Sequence, residues 1–300
     1  MKRLGFLGFG EVPWHLATGM RRPDGLEIVA YDPVLVDPDL PAKRQRALDA
    51  GVTPLDTVAG LADCELVLSL VTPAAAVGAV EAYAPHAVAG QRFIEMNSAA
   101  PAVKRAVDEL LTPRGVEVDD AVLTGGGIGL DGWQIPVNVA GPTAADSTDR
   151  LLALGLNARA IGDQVGQAAA VKMLRGVIIK GLEGLAVEAF TAARAEGLED
   201  VLMDAVGEAL DKGPIAEFLR MLLTTHTVHC ARRSVEVDMI RQTVEEAGLE
   251  SIAMPAMVRL FERSAGAGLA GDDGAGHPDA SEAVAAMVEA FVDRPATEGS

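Results

Sequence analysis

The stretch "GDQVGQAAAVKMLRG" (residues 162–176) opens a long run of helical spacing and carries Lys172 one turn after the small residues Gly166, Ala168 and Ala169. At that spacing Lys172, Arg175, Gly176, Ile179 and Glu183 share a stripe, while Lys180 points elsewhere. The small residues leave room for a ligand above the ammonium. It could then donate a proton to a carbonyl oxygen receiving a hydride, and take a hydroxyl proton in reverse once desolvation lowers its proton affinity. A lysine solvating a helix face fits the same spacing.

A second stretch, "DAVLTGGGIG" (120–129), places Thr124 before Gly125, Gly126 and Gly127. Successive flexible residues can turn their N–H groups inward as a nest for a carboxylate or another anion, although a plain flexible turn fits too. A third, "LGFGEVP" (7–13), carries the first two glycines of a Gly-x-Gly-x-x-Gly dinucleotide fingerprint. Gly8 makes the tight turn and Gly10 admits a pyrophosphate, with Phe9, Glu11 and Val12 supplying the backbone that opens the next helix. Pro13 replaces the third glycine, which serves only packing, and proline is tolerated in a first helical turn.

Asp32 closes the next β-rich run. A carboxylate there accepts hydrogen bonds from ribose hydroxyls and repels a 2′-phosphate, favouring NAD over NADP. Lys43, Arg44 and Arg46 lie close enough in sequence to keep NADP open, and Asp32 could merely begin the "DPVLVDP" turn. Two more strand ends, "SLVTPAAA" with Val71, Thr72 and Pro73, and "MNSAAP" with Asn97, have the small polar texture of loops over a bound dinucleotide.

These residues need a scaffold. Apolar runs at 3–8, 27–32, 65–71, 92–97, 116–123, 136–141 and 158–162 alternate with helical or turn-rich stretches, as a doubly wound α/β sheet of the Rossmann type requires, with its strand ends on one rim. After Gly162 the pattern becomes helical. A helix over 165–194 leads to others at 199–211, 215–247 with a break near His226, His229 and Cys230, and 253–264. A glycine-rich acidic loop spans 265–280, and Asp279 with Glu282 forms a capping box for a last helix ending near Asp293, before a frayed 294–300. The expected division is a nucleotide domain over 1–163 and an all-helical substrate and dimerisation domain over 164–300.

Composition narrows the partners. With 49% hydrophobic and only 4% aromatic residues the interior is aliphatic, and a net charge of -18 opposes nucleic acid and anionic membranes. Two cysteines cannot frame a disulfide scaffold, and the His226, His229, Cys230 group has no matching carboxylate motif for a metal. The chain starts directly on a strand-like run and has no apolar stretch of spanning length, so a cytoplasmic protein is expected.

The order of the glycine-rich turn, "DAVLTGG" and "GQAAAVKMLRG" before an all-helical half resembles the β-hydroxyacid dehydrogenase family, which includes 3-hydroxyisobutyrate and 6-phosphogluconate dehydrogenases. "KMLRGVIIKGLEGLAVEA" and "HCARRSVEVDM" look more like a less characterised phosphogluconate dehydrogenase-like branch. The resemblance implies hydride transfer with NAD or NADP, Lys172 as general acid/base, and Thr124, Gly125 and Gly126 contacting the acid group of a small anionic substrate, with Arg175 beside them. It also implies a homodimer through the helical domain. The family's usual asparagine one turn after the lysine is replaced by Gly176, and Val235 and Glu236 stand roughly where better-known members carry a Lys-Asp pair. Imine reduction on the same scaffold, or a dinucleotide-binding protein without catalysis, are the other readings. His229, Arg232, Arg233 and Glu236 share a polar helix face, near the substrate or simply solvated, and Trp133 walls the pocket or belongs to the core.

Overall fold

The computed structural model describes residues 1–125, 134–269 and 278–292. It divides into two compact units, Met1–Val177 and Ile178–Ser300. The division falls inside a long helix rather than at residue 163, because the helix's first turns belong to the sheet unit: Ala168 and Ala169 are buried against Val122 and Ala140.

The first unit is built on strands β1 (Arg3–Leu7), β2 (Glu27–Tyr31), β3 (Thr53–Pro54), β4 (Leu66–Ser69), β5 (Arg92–Glu95), β6 (Glu117–Leu123), β7 (Val137–Ala140) and β8 (Ala158–Gly162). Its helices are α1 (Glu11–Gly19), α2 (Pro33–Val36), α3 (Pro41–Asp49), α4 (Ala76–Tyr83), α5 (Pro101–Leu111) and α6 (Ala144–Ala153), followed by the start of α7 (Gln167–Ala195). The strands form one 8-stranded sheet in the order β3-β2-β1-β4-β5-β6-β7-β8. Alternate residues of each strand enter opposite cores. Leu4, Phe6, Ile28, Ala30, Leu66 and Leu68 pack on one face with Leu16 and Leu151, while Val29, Val67 and Phe93 pack on the other with Val80, Tyr83 and Val107.

The sheet is parallel except where β6 meets β7, and β8 runs parallel to β7. The expectation that all strand ends share one rim therefore fails for the last two strands. Leu123 pairs directly with Val137, so β7 lies beside β6 and runs antiparallel to it.

The second unit holds the rest of α7 with α8 (Glu199–Leu210), α9 (Ile215–Glu246), α10 (Ala253–Gly266) and α11 (Ala280–Phe291). The break expected near His226 is absent, and α9 is continuous over 32 residues. The hydroxyls of Thr224, Thr225 and Thr227 bond back to carbonyls of their own helix, and packing against α10 outweighs their weak helix propensity. Asp279 and Glu282 form the expected capping box of α11. The Glu188 carboxylate accepts from Ser251 Oγ at 2.6 Å and from the N–H groups of Ile252 and Ala253 at 2.9 and 2.8 Å, capping α10. Among the described residues no helix is long and apolar enough to cross a membrane.

Candidate active site

Strand order reverses between β1 and β4, which carry their following connections to opposite sides of the sheet. In open α/β sheets such a point leaves a crevice beyond the carboxyl ends of the strands. A cleft of about 830 Å³ lies there, lined by Gly8, Gly10, Glu11 and Val12 after β1, Asp32 after β2, Val71, Thr72 and Pro73 after β4, and Asn97 and Ser98 after β5. Phe9 is not among the lining residues. Its ring packs edge-on against Phe6 in the core, and its N–H donates to Asp32 Oδ2 at 2.8 Å.

The two glycines play different parts. Gly8 has φ +91°, and a Cβ there would lie 2.6 Å from Leu70 O and Val71 Cγ1, so the fold itself requires glycine. Gly10 would meet nothing within 4 Å. Its bareness is unexplained by packing and suits close approach of a ligand to the N-terminus of α1, where Gly10 is the N-cap and no side chain caps the helix. Pro13 enters the first turn of that helix and is buried.

Of the two readings the sequence left open for Asp32, the structure shows the turn-forming one and adds a bond to the glycine-rich loop. Its Oδ1 accepts from Val34 N at 3.0 Å, capping α2, while Oδ2 fixes the glycine-rich loop through Phe9. Arg44 donates to Leu35 O at 3.3 Å and pairs with Asp56 at 3.4 Å, and the Arg46 guanidinium lies 4.3 Å from the Trp14 ring centre.

Lys172 does not itself line the cleft, but its Nζ donates to Ser98 Oγ, which does, at 2.6 Å. Lys172 is half-buried, and burial, then the charges of Lys104 and Arg175, pushes its pKa below the usual lysine value. Arg175 is exposed, and a Cβ on Gly176 would meet nothing within 4 Å. Lys180, expected on a face apart from Glu183, instead pairs with it at i,i+3. Thr124 donates both its N–H, at 2.8 Å, and its hydroxyl, at 3.1 Å, to Pro136 O, so its donors hold the loop. Gly125 follows with φ +145°. Gly126, Gly127 and Trp133 lie outside the described residues. In the second unit Glu236 pairs with Arg232 at 3.7 Å, Arg233 donates to Thr225 Oγ1, and His226 Nε2 lies 2.8 Å from Ser264 Oγ.

Residues 193–264 match the family described as a domain of unknown function, DUF1932. The chain is 31% identical to a conserved hypothetical protein from Sinorhizobium meliloti 1021, covering 97% of each chain with a TM-score of 0.64. It is 26% identical, over 87% of its own length and 96% of the other, to a conserved protein whose structure is described as similar to 3-hydroxyacid dehydrogenases, with a TM-score of 0.60. The chain belongs to the same family as the Sinorhizobium meliloti protein, and its fold is similar to that of the protein described as resembling 3-hydroxyacid dehydrogenases. An imine reductase from Aspergillus terreus in complex with NADPH4 shares the fold, at 17% identity over 93% of this chain and 97% of that one, TM-score 0.73.

The residues present fit a dinucleotide. Gly10 leaves backbone room at an uncapped helix N-terminus. The side-chain oxygen of Asn97, a residue only 2% exposed yet part of the cleft wall, has no hydrogen-bond partner within the chain. Such an acceptor calls for a donor from a ligand.

The sequence reading missed Ser98 and a charged group beneath it. Lys104, Glu95 and Asp120 are all 0% exposed, and Lys104 pairs with both carboxylates. Burial pushes the Glu95 carboxyl up, partly offset by Lys104. A signal existed: Lys104 falls on the stripe of α5 that buries Val107 and Leu111, where an apolar side chain is the rule.

Proposed function

We propose that the chain is an NAD-dependent oxidoreductase that moves a hydride between nicotinamide and a small acid bearing a hydroxyl or carbonyl group. The observation that carries this reading is the Lys172 ammonium on Ser98 Oγ, at the wall of the cleft that Gly10 and Asp32 also line. Bound there, the nicotinamide would supply or accept the hydride. Lys172 gives a proton to the carbonyl oxygen in reduction and removes it from the hydroxyl in oxidation, while Ser98 holds its amine in place. With the donors of Thr124 engaged on Pro136, the substrate carboxylate falls to the Gly125 N–H and to Arg175.

NAD is favoured over NADP because Pro33 and Val34, which line the cleft beside Asp32, bring no cation to a 2′-phosphate, and Arg44 and Arg46 are held elsewhere. The exposed apolar helices of the second unit are the surface for a second copy of the chain. The test is a panel of hydroxy acids, oxo acids and cyclic imines, with nicotinamide absorbance followed for each cofactor. Turnover of an acid supports the reading, turnover of imines alone replaces it with imine reduction, and NADH binding without any turnover replaces it with a non-catalytic role.

A further inference from the structure

We infer that Lys104 is a positioning residue for this site: buried between Glu95 and Asp120, it ties the Asn97–Ser98 segment and the first turn of α7 to the same sheet end and holds Lys172 ready to release its proton. The inference rests on the reading of Lys172 as the acid/base.

The geometry is a continuous chain of polar contacts through the interior. Lys104 Nζ donates to Glu95 O at 2.9 Å and Ala121 O at 3.1 Å, and pairs with the Glu95 carboxylate and with Asp120 Oδ1, the latter at 3.2 Å. It thereby bridges the end of β5 and the middle of β6. On one side Glu95 Oε1 accepts from the backbone N–H and side-chain amide of Asn97, whose amide also reaches Ser69 Oγ at 3.3 Å. On the other, Asp120 Oδ2 accepts from Ala169 N at 2.8 Å, one turn before Lys172. Ser98 and Lys172, the two ends of the catalytic contact, are thus hung from one buried ammonium.

Stability does not account for this arrangement. Removing an ammonium and two carboxylates from water costs several kcal/mol per ion, and well-packed apolar residues of similar volume generally hold a fold as well or better. The neighbouring positions on the same stripe of α5, Val107 and Leu111, are apolar. Charge gives the group a second effect. The groups around Lys172 are the Ser98 hydroxyl, Lys104 from α5 and Arg175 on its own helix, with Glu95 of β5 and Asp120 of β6 behind Lys104. A fixed cation beneath Lys172 disfavours its ammonium form.

The test reads Lys172 directly and needs no turnover: the pH dependence of its acetylation by acetic anhydride in the full chain, followed by mass spectrometry of the peptide that contains it. Lys104→Met removes the cation and should raise the Lys172 midpoint by roughly half a pH unit or more. Asp120→Asn keeps an acceptor for Ala169 N–H but removes an anion, and should lower it. Opposed shifts support the inference, whereas an unchanged midpoint, or shifts in the same direction, overturns it. If Lys104→Met does not fold, Asp120→Asn alone decides: a lowered midpoint supports, and anything else overturns. Opposed shifts in a protein without turnover would leave the inference standing and remove the hydride-transfer reading instead.

Discussion

Lys172 Nζ and Ser98 Oγ are 2.6 Å apart although 74 residues separate them in sequence. One lies on the helix that leaves the sheet, the other on the loop that lines the cleft, so the contact joins the proposed proton donor to the proposed cofactor site. Lys172→Ala should lower turnover by about 100-fold or more, the usual range for a lost general acid/base, while NADH still binds. Ser98→Ala should cost less, because it loosens the amine without removing it. Fluorescence titration and initial rates on the same preparations check this; near-normal turnover of Lys172→Ala would refute the role.

Burial, Lys104 and Arg175 lower the Lys172 pKa, which fixes the sign of a pH effect. Oxidation needs the neutral amine, so its rate should rise with pH through a midpoint below the ordinary lysine range. Reduction needs the ammonium and should fall through the same midpoint. Arg175→Ala withdraws one of the cations and should move the midpoint up. Rate profiles in both directions test this, and a midpoint at the ordinary lysine value would contradict it.

The chain showed its scaffold plainly because parallel strands covered on both faces are written as apolar runs, and "ELVLSLV" or "RFIEMN" can hardly be read otherwise. The edge strand Thr53–Pro54 escaped because two residues carry no periodicity. The reversal of β7 escaped because strand direction is set by pairing in the sheet, which local pattern does not encode. Asp32, Asn97 and Lys172 were legible from their positions at strand ends and a helix opening. Lys104 was legible only as a lysine on the apolar stripe of α5; that Glu95 and Asp120 lie on either side of it was not. Its partners are set by strand pairing between β5 and β6, a tertiary fact.

The two glycines of the nucleotide loop should separate folding from binding. Gly8→Ala forces a side chain into a left-handed backbone and against Leu70 and Val71, a strain of about 1–3 kcal/mol before the clash is counted. It should lower the melting temperature by several degrees. Gly10→Ala meets nothing in the protein and should melt normally but bind NADH much more weakly. Thermal melts beside NADH titrations read both, and full NADH affinity in Gly10→Ala would remove that residue from the cofactor site.

Asp32 should govern the choice of cofactor. Asp32→Asn removes the charge that repels a 2′-phosphate and leaves one amide oxygen for the N–H groups of Phe9 and Val34. Loss of a charged hydrogen bond to the ribose should weaken NADH by about tenfold, and the preference over NADPH should shrink. Dissociation constants for both cofactors test it. A wild-type protein that prefers NADPH would overturn the assignment.

The helical unit should be a dimerisation surface. Helix α8 buries none of its residues, although Val201 and Met203 are 65% and 57% exposed, and α7 likewise exposes Ile178, Leu182 and Val187. Fully burying such a side chain contributes about 1.5–3 kcal/mol, so several left in water on α7 and α8 represent a large unclaimed driving force. A second copy offers the same apolar face in return, and a two-fold interface closes on itself. The wild-type chain should therefore run as a dimer by light scattering, and Leu182→Glu combined with Val201→Glu should convert it to a monomer with its helical circular dichroism retained. A monomeric wild-type protein would leave these helices without their expected partner and refute the prediction.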